Sequence, residues 1–268
     1  MCINLLKQFF KGKEDDVQKP EIATPDMTPD KEIIPETETT HEPENETITK
    51  TQEEKMEKTN FVVLLDNGHA KSTPGKRSPI LDNGDRFYEW EFNRDVVARI
   101  AKELDELGIK YHILVPENDK DIALSERANR ANEYCNKYGT KNCFFISVHA
   151  NAYGMGDKWE DPGKWSVWTT VGATKSDKYA EVMYNVAEEI LKPYGFGCRN
   201  GKVQGNENDG PDYEENFTVI YKTKCPAVLT ENLFYTNKKE CEWLMTDTGR
   251  QVIADIHVES IRRIIDNL

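Results

Sequence analysis

Apolar residues along this chain alternate between short runs and helical stripes, and the order of these segments predicts the architecture. Residues 61–65 (Phe-Val-Val-Leu-Leu) are uninterrupted, and Asp66-Asn67-Gly68-His69 closes them. Residues 143–148 (Cys-Phe-Phe-Ile-Ser-Val) form a second such run, closed by His149. Short runs rich in β-branched and aromatic residues that end at a turn signal read as buried strands. Between them Phe92, Val96, Val97, Ile100, Leu104 and Leu107 recur at spacings of three and four, with Gly108 where a C-terminal cap belongs. A strand over 111–115 and a helix over about 121–138, with Ile122, Leu124, Ala128, Ala131 and Tyr134 on one side, complete the first half.

The second half repeats the alternation. Residues 164–171 alternate as a strand does, and 176–193 predict a helix that Pro193 ends. A polar loop over 197–216 follows, then strands at 217–221 and 227–230, a small helix near 238–245 and a longer one over about 248–266. The fold class expected is α/β: one domain with a mostly parallel, about six-stranded twisted sheet and helices on both faces.

Composition divides the chain into three. Residues 14–60 hold fifteen acidic side chains against five lysines, five prolines and no aromatic residue. Such a stretch buries too little apolar surface to offset the ordering entropy of roughly 1–2 kcal/mol per residue, so it is expected to be a disordered acidic linker. Residues 1–13 carry Ile3, Leu6 and Phe10 among three lysines. Asn4, Lys7 and Gln8 interrupt the apolar stretch, and charge follows rather than precedes it, so no secretory signal is evident. Peripheral contact of 1–13 with a membrane is one reading, and a frayed terminus without a role is the other. Residues 61–268 make the folded domain, expected as a monomer. The formal net charge of the whole chain is -13, and the folded part is itself mildly acidic, which argues against nucleic-acid binding.

The candidate chemistry sits at strand ends. In α/β sheets the ligand crevice lies beyond the carboxyl ends of the strands, so His69 and His149 are expected at one rim. Glu231 closes 226–230 (Pro-Ala-Val-Leu-Thr) and belongs to the same rim. Glu89 and Glu91 open the first helix, where the dipole favours acids with or without a further role. Two histidines and one carboxylate are the ligand set of many catalytic zinc ions, and a second carboxylate is then free to move protons. Asp66 reads either as a partner that fixes a ligand imidazole or as a turn-former. His112, His257 and His41 read as bystanders. Trp159, Trp165 and Trp168 line a groove or fill the core. The six cysteines show no zinc spacing and read as reduced thiols, although Cys135 and Cys143 could bridge if oxidised.

Taken in order, Asp66-x-Gly68-His69, Glu89-x-x-x-Asn93, Arg127-Ala128-Asn129-Arg130-Ala131-Asn132, Ser147-Val148-His149-Ala150-Asn151 and Pro226-Ala227-Val228-Leu229-Thr230-Glu231-x-x-Phe234-x-x-Asn237 resemble the zinc-dependent N-acetylmuramoyl-L-alanine amidases of the amidase-type-3 catalytic domain. The likeness covers nearly all of 61–268. Ala70 and Lys71 stand where the family usually has a second glycine, and the 153–163 and 197–216 segments are unusual for it. The resemblance implies that His69, Glu89 and His149 ligate Zn2+ and that Glu231 is the catalytic carboxylate. Glu89 is preferred to Glu91 because it stands four residues before Asn93, and residues two apart on a helix point nearly opposite ways. The implied substrate is peptidoglycan, cut between N-acetylmuramic acid and L-alanine by a wall-acting enzyme such as a phage or prophage lysin. Another zinc amide hydrolase (carboxypeptidase-like or an amino-acid deacylase) and a non-catalytic wall-binding module are the alternatives.

Overall fold

Three strands that are buried along their whole length, each opening on an apolar run, take the middle of the sheet. In the computed structural model, which describes residues 60–202 and 210–268, these are β1 (Val62–Asn67), β3 (Cys143–Asn151) and β6 (Ala227–Phe234). Every residue of all three is buried, as continuous apolar runs covered on both faces require. The remaining strands are β2 (Lys110–Ile113), β4 (Ser166–Thr169) and β5 (Tyr213–Glu214), and the sheet order is β2-β1-β3-β6-β4-β5. Pairing is parallel throughout except between β4 and β6.

The pleat sorts the core into two layers, because successive side chains of a strand point to opposite faces. Val63, Leu65, Phe144, Ile146 and Val228 pack against α1 (Glu89–Glu106), α3 (Lys175–Leu191) and α6 (Asp247–Asp266). Val62, Leu64, Phe145 and Leu229 face α2 (Leu124–Tyr138) and the one-turn α4 (Thr218–Tyr221). A short α5 (Lys238–Leu244) precedes α6. Helix α1 stops where its apolar stripe stops, with Gly108 in the left-handed region at φ 67°. No helix among the described residues is long and apolar enough to cross a membrane.

The α/β architecture, the number of strands and the mostly parallel pairing agree with the sequence reading; several local expectations do not. The segment 217–221, expected as a strand, is the helical turn α4. Phe217, Val219 and Ile220 are buried while Tyr221 is 62% exposed, a one-sided pattern that packing against α2 rewards and that a short β-branched run cannot reveal. Helix α2 starts at Leu124 rather than near 121, and α3 ends at Leu191 before a 3-10 turn that contains Pro193. Strand β5 lies inside the segment expected to be loop. Trp165 and Trp168 are core residues: the Trp165 indole donates to Asn232 Oδ1 at 2.7 Å, and Trp168 stacks on Tyr213. Trp159 is partly buried against the core. Cys135, Cys143, Cys198, Cys225 and Cys241 are free thiols. His112 stacks on Tyr134 at the sheet edge, and buried His257 pairs with Thr230 and the Ile253 carbonyl. Residues 1–59, with Cys2, His41 and the expected linker, lie outside the described residues.

Candidate metal centre

Strand register brings the histidines to one place. Strand β1 runs beside β3 with Asn67 opposite Val148, so His69 leaves β1 next to His149. Their rings meet edge-on, with centroids 4.9 Å apart. His69 itself has φ 62°, a left-handed backbone that a non-glycine residue adopts only when its surroundings insist. The Gly68 carbonyl accepts from Asn93 Nδ2 at 3.1 Å and the Gly68 N–H donates to Val148 O at 3.1 Å, which pins that turn. Gly68 has to be glycine for a second reason: a Cβ there would sit 2.1 Å from Cε1 of His149.

Helix α1 delivers the carboxylate. Glu89 and Asn93 are one turn apart and both buried, whereas Glu91 faces outward and pairs loosely with Arg250 at 3.9 Å. Glu89 Oε1 lies 3.0 Å from His149 Nδ1 and 3.4 Å from His69 Nε2, and it also accepts from the Ala150 N–H at 3.3 Å. One ligand atom from each of the three residues falls within 4.8 Å of the others, the only such group of three or more among the described residues.

The donor set suits a divalent cation. His69 Nε2, Glu89 Oε2 and Glu231 Oε2 are buried and make no hydrogen bond within the protein, an expensive arrangement unless something else satisfies them. Burial pushes the His69 imidazole down to about 4, against the pull of Glu89, so it presents a neutral lone pair near neutrality. Burial alone would raise the Glu89 carboxyl, but the charges of His69 and Lys76 and the two imidazoles set against it hold it well below the usual range. An anion between two imidazoles is what a cation completes.

Glu231 stands across from His149 in the β3–β6 register and across from Ser166 on the other side. It is only 4% exposed, and burial pushes its carboxyl up from 4.5 to about 7; Glu89 adds to the rise, while His149, Lys76 and Arg199 oppose it. Just past it, Leu233 adopts φ 65° and the register with β3 shifts between His149 and Asn151. Such an irregularity re-aims side chains at a strand end. A pocket of about 420 Å³ flanks the start of α1, lined by Lys71, Lys76, Arg77, Tyr88, Trp90 and Glu91 among others, and none of the four site residues belongs to its lining.

All four residues singled out from the sequence therefore converge, and Asp66 does not touch an imidazole directly. It accepts from Ser147 Oγ at 2.6 Å and pairs with Arg127 Nη1 at 2.7 Å, and Ser147 Oγ lies 3.2 Å from His149 Nε2. Burial tends to raise the Asp66 carboxyl, but Arg127 and Ser147 outweigh it and hold it below its ordinary value. Ser147, Arg127 and Gly68 appear in the sequence motifs without a role. For Ser147 a signal existed: it precedes His149 by two, and residues i and i+2 of a strand share a face.

Comparison with known proteins gives the family. Residues 63–263 match the family model described as N-acetylmuramoyl-L-alanine amidase. The endolysin of Bacillus phage SPP1 is 29% identical over 209 residues, covering 76% of this chain and 66% of that protein. The N-acetylmuramoyl-L-alanine amidase CwlM of Bacillus licheniformis is 32% identical over 203 residues, covering 75% of this chain and 67% of that protein. The chain thus spans about two thirds of the length of these relatives. Among solved structures, the catalytic domain of CwlV, an N-acetylmuramoyl-L-alanine amidase of Bacillus (Paenibacillus) polymyxa var. colistinus, superposes with a TM-score of 0.59. It is 23% identical, with 77% of this chain and 98% of that one covered, and this likeness concerns the fold.

Proposed function

The chain belongs to the N-acetylmuramoyl-L-alanine amidase family, and from that premise we propose that residues 61–268 are a catalytic domain that hydrolyses the amide between N-acetylmuramic acid and the L-alanine of the stem peptide in peptidoglycan. The observation that carries this reading is a buried His69–Glu89–His149 cluster next to a second buried carboxyl raised to about 7. The cluster offers two imidazole nitrogens and one carboxylate oxygen, the donors zinc takes at catalytic sites with a coordination place left open. When bound there, zinc supplies Lewis acidity toward the scissile carbonyl and makes water easier to deprotonate.

The chain's own residues do the rest. Glu231 accepts a proton from the attacking water as its oxygen bonds to the carbonyl carbon. The C–N bond then breaks, and Glu231 returns the proton to the departing L-alanine nitrogen. A carboxyl whose pKa lies near the working pH serves both steps, since it is basic enough to take the proton and acidic enough to give it back. The endolysin relative favours a lysin that reaches the wall from inside the cell, and a peripheral membrane contact through residues 1–13 belongs to the same proposal.

The test is chemical. Zinc-loaded protein incubated with peptidoglycan should release stem peptides that begin with a free L-alanine amino group. Cleavage between sugars or within the peptide, or none with zinc present, overturns the reading. A second expectation concerns pH. Glu231 must be ionised to accept the first proton, so kcat/KM should fall as pH drops below about 7, with a bound cation moving that midpoint lower. A rate that stays level from about pH 8 down to about pH 4 removes Glu231 from the role of base.

A further inference from the structure

Resting on the reading of His69, Glu89 and His149 as a metal-binding set, we propose that Ser147 is a positioning residue for metal capture: it accepts the Nε2–H of His149 and so leaves Nδ1 as the donor atom. The argument is a proton inventory along a buried chain of contacts. Arg127 remains protonated in proteins, and its Nη1 donates to Asp66 Oδ1 at 2.7 Å and to Asn67 O at 2.9 Å. Its Nε donates to Ile122 O and its Nη2 to Asp121 Oδ1, both at 2.8 Å, so the guanidinium is locked from three sides. Asp66, 1% exposed against this cation, is a carboxylate and can only accept.

A serine hydroxyl has one proton. At 2.6 Å from Asp66 Oδ2, Ser147 Oγ commits that proton to the carboxylate. Its lone pairs remain, and the atom they meet is His149 Nε2 at 3.2 Å. The hydrogen bond exists only if Nε2 carries a proton, and a neutral imidazole protonated at Nε2 has a bare Nδ1. Nδ1 is the atom that lies 3.0 Å from Glu89 Oε1. Two acceptors then face each other at hydrogen-bond distance, an arrangement that a positive charge between them relieves. The relay thus aims the His149 lone pair at the place where a cation sits.

The sheet builds this device. Asp66 and Ser147 are register partners across β1 and β3, and Ser147 and His149 are alternate residues of one strand. Helix α2 supplies Arg127 from below the rim. Asp66, Ser147 and Arg127 are all buried, so the relay reaches the metal through the imidazole.

The experiment reads the tautomer and zinc affinity separately from turnover. In the metal-free full-length protein near pH 8, long-range 15N–1H correlation spectra should show His149 as the Nε2–H tautomer. Ser147→Ala should give a mixture of tautomers and weaken zinc binding, measured against a competing chelator, by roughly 10–100-fold. A wild-type His149 protonated at Nδ1 overturns the proposal without any variant, as does a folded Ser147→Ala that binds zinc as tightly as wild type. A wild-type protein that takes up no zinc defeats the metal reading itself, and that outcome is distinguishable because it does not depend on Ser147.

Discussion

Glu231→Gln is expected to lower kcat on muramyl peptides by roughly 10²–10⁴-fold while zinc content stays that of the wild type. Glutamine keeps the shape of the side chain and loses the ability to take and return a proton. The three clustered residues are untouched, so metal binding and catalysis should separate. Metal analysis of the purified variant beside a turnover assay decides it; a variant within about tenfold of wild-type kcat would remove the carboxyl from the chemistry. Stability should move the other way. A carboxyl raised from 4.5 to about 7 prefers to be neutral in the folded protein. Below the unfolded value there is no penalty, and as pH rises through the folded value the cost of the buried anion becomes complete. At ~1.4 kcal/mol per pKa unit, that cost is on the order of 3 kcal/mol. Metal-free Glu231→Gln should therefore melt higher than metal-free wild type at pH 8, and the gap should close near pH 4.

Which parts of this molecule could be read without coordinates follows from how locally each is determined. Strands β1, β3 and β6 open on unbroken apolar runs, and only a position covered on both faces tolerates that. Their carboxyl ends then place His69, His149 and Glu231 at one rim by a general property of such sheets. Helix α1 was legible because its stripe runs over five turns. Segment 217–221 was not: five residues are too few for a period, and contact with α2 decided it. The same holds within the site. Asp66 carried a hint as the partner of an imidazole, yet it reaches His149 only through Ser147. Strand register creates that link, and register between strands 81 residues apart is a tertiary fact. Helical phase separated Glu89 from Glu91 in principle, but choosing which of them faced inward required the family pattern; burial of Glu89 and outward pairing of Glu91 show the phase directly.

Gly68→Ala should cost as much as deleting a ligand, although the side chain added is one methyl. The new Cβ would lie 2.1 Å from His149 Cε1 and 2.5 Å from Nδ1, far inside contact distance. Something has to move, and the backbone is poorly placed to do so. The Gly68 N–H is held by Val148 O, its carbonyl by Asn93, and the next residue already sits in the left-handed region. The imidazole is the softer element, so it should swing away from Glu89 and lose its contact with Ser147 Oγ as well. Zinc affinity is then expected to fall by at least about 100-fold, turnover to fall with it, and overpacking to cost a further ~1–3 kcal/mol of stability. Gly197→Ala serves as the control, because a Cβ there meets nothing nearer than Glu188 Oε1 at 3.6 Å. That variant should bind zinc as wild type does. If Gly68→Ala also binds zinc undiminished, the His149 ring does not occupy the space beside Gly68 in solution, and the geometry of the whole cluster has to be redrawn.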